Sequence, residues 1–345
     1  MQYQVAVIIP TLNEERFIAQ VLDSVICQSY PFGQMDVMVV DGGSTDSTRD
    51  IVTKYASKYN NIRLLDNPGR IQSIAFNIGV KSSSAPFVMR LDAHAYYDKY
   101  YVENILNLYH GKDKELINIE LIGNIGGRCS ILSQYSRLIA ETSAILNQVK
   151  FGIGGAAFRV GAERGFVDTV PFGCFPRRVI DQIGGMREDL PRGEDNEYNS
   201  RIRKAGYKVL FSPEIKCSYY SRDTIKGNLK QMFANGISIA KLMFIDSSAI
   251  GLRHLIPLFF VISLLLSLLW GILYPDLWSI ALFIPTIYLI ANISASIIAC
   301  YHFGAKYIIS LPWMFLLVHL SYGYGTIVGM AKLLCGKGFN VKVNR

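Results

Sequence analysis

Four acidic or hydroxyl-rich turns punctuate the first two-thirds of this chain: Pro10-Thr11-Leu12-Asn13-Glu14-Glu15, Val40-Asp41-Gly42-Gly43-Ser44, Arg90-Leu91-Asp92-Ala93-His94 and Gly193-Glu194-Asp195. A carboxylate at a strand end can accept from a base N–H or a ribose hydroxyl. A second one with a neighbouring ligand can hold a divalent cation against diphosphate oxygens. A third can take the proton of an attacking hydroxyl. Singly these turns are weak signals, since Asp-Gly-Gly is a common turn and Asp-x-His arises in loops by chance. In this order, at the ends of successive apolar runs, they make a strong set.

Those runs fix the elements that must carry the turns. Gln4–Ile9 reads as a buried strand stopped by Pro10. From Glu14 to Cys27 the apolar residues Phe17, Ile18, Val21, Leu22, Val25 and Ile26 recur at helical spacing. Asp36–Val40 is the next strand, and Ser44 or Thr45 can cap the helix that follows. Ile62–Leu65 is a strand, Arg70–Val80 a helix and Pro86–Leu91 a strand. This β-α-β-α-β-α-β order requires a mostly parallel α/β sheet with ligands at the carboxyl ends of its strands. Later, Glu194–Ala205 reads as a helix ended by Gly206, and Lys208–Phe211 and Ile215–Tyr220 as two strands.

The charge pattern then changes. Between residues 255 and 331 only Asp276 and Lys306 carry charge. Leu255–Tyr274 and Leu277–Tyr301 each reach the ~20 residues needed to cross hydrocarbon. Tyr307–Ala331 is as long, but Pro312, His319, Gly323, Gly325 and Gly329 interrupt it. Both a full crossing and re-entry are open, because a third crossing sets the basic tail (Lys332, Lys337, Lys342, Arg345) against the positive-inside rule. Ahead of these runs, Ile225, Leu229, Met232, Phe233, Ile237, Ala240, Met243 and Phe244 form one helical stripe, for the membrane interface or for packing. The expected division is 1–221 catalytic, 222–250 amphipathic and interfacial, and 251–345 in the membrane with two or three spanning helices.

A net charge of +8 suits an anionic membrane surface or a phosphate-bearing ligand. No basic run or RNA motif supports nucleic acid as a partner. The six cysteines form no C-x-x-C pair and sit at no zinc-finger spacing with histidine, which suits reduced thiols. The amino terminus lacks the pattern of a signal peptide.

Taken together, Ile9-Pro10-Thr11-Leu12-Asn13-Glu14, Val40-Asp41-Gly42-Gly43-Ser44-Thr45-Asp46, Arg70 with Asn77-Ile78-Gly79, Arg90-Leu91-Asp92-Ala93-His94, Gly184-Gly185-Met186, and Gly193-Glu194-Asp195 with Arg201-Ile202-Arg203-Lys204-Ala205-Gly206-Tyr207 resemble the family 2 glycosyltransferases of GT-A fold, over roughly residues 4–235. The Asp-Ala-His-Ala variant and the apolar segments resemble, more narrowly, succinoglycan-type glucosyltransferases of bacterial exopolysaccharide assembly. The resemblance implies a nucleotide-sugar site of Pro10, Thr11, Glu14, Asp41, Gly43, Arg70, Asn77 and Asp92, with Asp41 on the pyrimidine edge. It implies a Mn²⁺ or Mg²⁺ ion at Asp92 and His94. Histidine departs from the family's usual second Asp there; it either favours Mn²⁺ or is a loop residue without a ligand role. Asp195, or Glu194 beside it, would be the base. Both would also suit the first turn of a helix. Arg222 would meet a diphosphate or a lipid phosphate, and Arg201 is a second candidate.

The expected activity is that of an inverting hexosyltransferase adding one sugar, with a UDP-sugar as donor and a polyprenyl-diphosphate-linked saccharide as acceptor, in exopolysaccharide, capsule or O-antigen assembly. It would sit in the cytoplasmic membrane with its catalytic domain facing the cytosol. Transfer to polyprenyl phosphate itself is the alternative, and a catalytically silent membrane scaffold is the reading from another class. Processive relatives carry Gln-x-x-Arg-Trp after the base, whereas Gln231-Met232-Phe233-Ala234-Asn235 lacks the Arg and the Trp. An NAD oxidoreductase is a weaker reading still, since no G-x-G-x-x-G follows the first strand.

Overall fold

The computed structural model describes residues 3–111 and 118–336. The chain forms two compact units. Among the described residues the first holds those up to Ser130 and Gly161–Tyr219; the second holds Ile131–Val160 and 220–336.

The first unit is built on a nine-stranded sheet. Its strands are β1 (Val5–Thr11), β2 (Met35–Asp41), β3 (Ile62–Asp66), β4 (Phe87–Arg90), β5 (Ala95–Tyr97), β6 (Ile122–Leu132), β7 (Gly165–Val167), β8 (Cys174–Pro176) and β9 (Lys208–Tyr220). They run in the order β3-β2-β1-β4-β8-β6-β9-β5, with β7 also on β9. The pairings β1–β2, β1–β4 and β2–β3 are parallel. Every residue of β1 and β2 is buried, as their unbroken apolar runs require for strands covered on both faces. The register sets Thr11 opposite Asp41 and Asp41 opposite Asp66, so three polar residues leave the sheet at one edge.

Some boundaries differ from expectation for local reasons. The first helix begins at Ile18 rather than Glu14, because the backbone of Asn13–Glu15 is used in side-chain bonds to the next loop. The second begins at Thr48, where Asp46 Oδ1 accepts the Thr48 N–H at 3.0 Å, while Ser44 is engaged elsewhere. The two strands expected over 208–220 are one. β7 pairs with residues 209–211 and β5 with residues 217–219, so Pro213 falls between them and interrupts neither ladder.

In the second unit, three helices among the described residues are long and apolar enough to cross a membrane: Ile256–Leu273, Pro275–Phe303 (broken near its start) and Ser310–Leu334. The third is continuous through Pro312 and its glycines. Protein buries 44% of it, against 17% of each of the other two. The amphipathic helix, Ile225–Ile245 with Thr224 as its cap, lays Met232, Ile237 and Ala240 inside and leaves Ile225 and Phe244 exposed. Glycines let its backbone meet the third apolar helix. A Cβ on Gly236 would lie 2.1 Å from the Tyr322 carbonyl oxygen, and one on Gly325 2.3 Å from that of Phe233. Lys337, Lys342 and Arg345 of the basic tail lie outside the described residues.

Candidate active site

Two loops are stitched into one surface at the carboxyl edge. The Asn13 N–H donates to Ser44 Oγ at 2.8 Å, and the Thr45 N–H to Asn13 Oδ1 at 2.9 Å. The Glu14 N–H donates to Thr48 Oγ1 at 2.8 Å. Asn13 holds φ +55° to do so, a left-handed conformation that asparagine tolerates better than most residues.

Asp41 has no exposed surface. Its Oδ2 accepts the N–H groups of Gly43 and Ser44, each at 3.0 Å, and Arg49 Nη1 at 2.8 Å; its Oδ1 accepts the Ser44 hydroxyl. The carboxylate thus shapes the Gly42-Gly43-Ser44 turn, whose outer surface is backbone. Thr11 is buried and Pro10 lies within β1. Arg70 is exposed at φ +62° and donates Nε to the Gly42 carbonyl at 3.1 Å. A non-glycine residue held there costs on the order of 1 kcal/mol, and the fold retains it beside the Asp41 turn.

The centre of the site is Arg90, the last residue of β4, 3% exposed. Its Nη1 lies 3.0 Å from Glu194 Oε1 and 2.9 Å from Asp195 Oδ1. Nη2 donates to Asp195 Oδ2 at 3.0 Å and lies 3.7 Å from Asp92 Oδ1. Three carboxylates from two distant chain segments therefore share one guanidinium. Burial pulls the pKa of Arg90 down, but Asp195, Asp92 and Glu194 outweigh it and keep the group charged. Asp195 responds the other way: burial, reinforced by Glu194 and Asp92 and opposed by Arg90, pushes it up to about 7. A carboxylate near neutrality, 31% exposed, can exchange a proton with an incoming hydroxyl.

Asp92 is held through its backbone, whose N–H donates to Tyr97 Oη at 2.7 Å. Its Oδ1 is buried without a hydrogen-bond partner. His94 turns Nδ1 to Glu14 Oε1 at 3.1 Å, which leaves Nε2 as the lone-pair nitrogen of the neutral ring. Among the described residues no three His, Cys, Asp or Glu side chains gather to hold a metal unaided.

Other candidates are placed elsewhere. Asn77 accepts the Met186 N–H at 2.8 Å and donates to the Met186 carbonyl at 2.8 Å and to Glu188 at 3.0 Å. It is a strut for the Gly184-Gly185-Met186 loop, and a Cβ on Gly185 would lie 2.3 Å from its Oδ1. Arg201 is committed to Glu197 and to the carbonyls of Ile183 and Gly185, all within 3.1 Å. Arg222 belongs to the second unit. Sequence reasoning did not assign Arg90 a role; the signal was an arginine at the end of an otherwise apolar strand, which burial allows only with acidic partners.

A mostly parallel sheet with antiparallel additions, carrying carboxylates at its strand ends, is the GT-A-type fold. Its sheet and C-terminal helices align with the mannosyltransferase PcManGT of Pyrobaculum calidifontis, solved with GDP-Man and Mn²⁺, at TM-score 0.57 and 18% identity, covering 98% of this chain and 88% of that one. The profile of glycosyl transferase family 2 matches residues 6–159. A Methanococcus voltae protein, dolichyl N-acetyl-α-D-glucosaminyl phosphate 3-β-D-2,3-diacetamido-2,3-dideoxy-β-D-glucuronosyltransferase, is 29% identical over 331 residues, 95% of this chain and 97% of that protein. Succinoglycan biosynthesis protein ExoA of Rhizobium meliloti is 29% identical over 256 residues, 73% of this chain and 74% of that one. The family 2 glycosyltransferase profile thus spans most of the first half of the chain, and both relatives align well beyond it.

Proposed function

We propose that this enzyme transfers a single sugar, with inversion, from a nucleotide-diphosphate sugar to a polyprenyl-linked saccharide at the cytosolic face of the cytoplasmic membrane. UDP is the expected nucleotide. The observation that carries the reading is the Arg90 clamp, which holds Asp195 beside Asp92 with a pKa near neutrality. Asp195 takes the acceptor proton as the hydroxyl attacks the anomeric carbon opposite the departing nucleotide. One base suffices for such a displacement. Glu194, whose Oε1 accepts from Arg90 Nη1 at 3.0 Å, supports Asp195.

A divalent cation fits the residues present. Asp92 offers an oxygen that lacks a hydrogen-bond partner, and His94 is braced by Glu14 as metal-bound imidazoles are by carboxylates. The ion would neutralise the departing diphosphate, whose oxygens complete its shell. The stitched loop of Thr11, Asn13, Glu14 and Gly43 with Arg70 would border the nucleoside.

The lipid acceptor is supported by three apolar helices and by the printed substrate of the Methanococcus voltae relative, a dolichyl-linked sugar phosphate, along nearly the full length of both chains. Single addition is supported by the missing Arg and Trp after Gln231. The test is nucleotide release by the full chain in membranes across UDP-, GDP- and dTDP-sugars, with and without lipid extract. Lipid-dependent release from one UDP-sugar, abolished by EDTA and restored by Mn²⁺ at least as well as by Mg²⁺, is expected. Lipid-independent turnover refutes the acceptor class, and full activity in excess EDTA refutes the ion.

A further inference from the structure

The net positive charge of the described residues lies in the second unit. Among the described residues the second unit carries ten Lys and Arg against four Asp and Glu. Two of those cations flank one turn, Gly154-Gly155, and a third follows it in the chain. The stem of Arg253 lies on Gly154, whose added Cβ would stand 3.4 Å from Arg253 Cδ. Lys150 runs along Gly155, with Cγ 3.8 Å from a Cβ added there. Arg159 follows one turn later, its N–H bonded to the carbonyl of Ala156. Its Nη1 reaches Asn147 Oδ1 at a long 3.3 Å, and its buried Nε has no hydrogen-bond partner.

Neighbouring apolar surface gives the cluster its meaning. Arg253 sits in the single turn Leu252–His254 that leads into the apolar helix starting at Ile256. Leu252 is 74% exposed, Ile256 58% and Phe259 56%. Guanidinium donors grouped at the head of a lipid-facing helix match a ligand that is a phosphate at one end and a hydrocarbon chain at the other. A glycine pair at the turn lets such a group approach backbone as well as side chains.

We propose that Lys150, Arg159 and Arg253 form a binding site for the phosphoryl group of a lipid-linked acceptor, holding it by its phosphate while its chain lies along the apolar helices. This rests on the lipid-acceptor reading above, but it is tested by binding rather than by transfer, so either can fail alone. The probe is farnesyl diphosphate, titrated by thermophoresis against the full chain in detergent, with inorganic diphosphate and phosphatidylglycerol vesicles as parallel arms. Arg159→Gln and Arg253→Gln are each expected to weaken farnesyl diphosphate binding about tenfold, and the pair about a hundredfold, with UDP affinity and the unfolding midpoint unchanged. Inorganic diphosphate should bind the unaltered protein more weakly than farnesyl diphosphate, and vesicle binding should be unaffected by the substitutions. Arg159→Lys and Arg253→Lys preserve charge and serve if a glutamine variant fails to fold; they should lose several-fold through the fork geometry that lysine lacks. Unchanged farnesyl diphosphate affinity in the variants overturns the proposal. An equal loss on phosphatidylglycerol overturns the acceptor assignment in favour of bilayer headgroups, and inorganic diphosphate binding as tightly as farnesyl diphosphate overturns the lipid requirement.

Discussion

At the residue scale the site turns on how one buried guanidinium gives its donors to Glu194 and Asp195 while Asp92 Oδ1 stands 3.7 Å away. Asp195 is raised to about 7, so its ionised, base-competent form is lost as pH falls through that value. kcat/KM is therefore expected to rise with pH on a limb centred near 7, tenfold per unit below it. Asp195→Asn should lower kcat by a factor on the order of 10²–10⁴ and abolish that limb while leaving donor affinity nearly intact. Glu194→Gln, measured in parallel, should retain the limb. A retained limb and near-normal turnover in Asp195→Asn would remove Asp195 from the role. Arg90→Met makes a separate prediction about stability. It strands three carboxylates in a buried site and should cost about 3–5 kcal/mol near pH 8. Arg90 opposes the rise of Asp195, so without it the folded-state value climbs further above about 7, and the added penalty is absent below that value and grows as pH rises beyond it. Urea midpoints should fall above about pH 7 far more steeply than in the unaltered protein; a parallel pH dependence would refute the clamp.

Elements place these residues, and their legibility in the sequence was uneven for physical reasons. The four parallel strands could be read because burial on both faces demands unbroken apolar runs such as Val5–Ile9 and Val37–Val40. Turn chemistry likewise marked the ends at Asp41 and Asp92. The clamp itself could not be read, because Arg90 and Asp195 are 105 residues apart and only the fold makes them neighbours. The same holds for Asn77, whose partners Met186 and Glu188 show it to be a strut, and for Arg201, whose charge suggested a phosphate but whose donors hold a loop. The glycines of the third apolar segment looked like interruptions, yet Gly323, Gly325 and Gly329 are where other backbone comes close. Gly325→Val should force the Ile225–Ile245 and Ser310–Leu334 helices apart and destabilise their packing by about 1–3 kcal/mol. Thermal unfolding in detergent measures it, with Gly33→Ala, which meets nothing within 4 Å, as the control. Equal midpoints for the two variants would show that the close approach is not needed.

For the whole molecule, the consequential feature is that Ile131–Val160 interrupts the first unit in sequence but belongs to the second. Its attachments are specific. Thr142 Oγ1 and Ser310 Oγ share a hydrogen bond at 2.7 Å, Glu141 accepts from Lys306 and Tyr307, and His319 Nε2 donates to the carbonyl of Phe151 at 2.8 Å. Ile145 and Leu146 enter one apolar cluster with Leu311, Phe315 and Val318, and each such side chain contributes roughly 1.5–3 kcal/mol when buried. Ending the chain near Ser221, the boundary that charge patterning suggests, would strip all of these partners from a segment that stays covalently inside the catalytic half. That fragment is expected to aggregate on size exclusion without detergent. A fragment ending near Ser247 should fare no better, because Met232, Ile237 and Ala240 would lose the Ser310–Leu334 helix. A chain ending at Gly336 should instead behave in detergent like the full-length protein. A monodisperse, cooperatively unfolding fragment ending near Ser221 would show that Ile131–Val160 folds without the apolar helices, and that catalytic and membrane parts are separable after all.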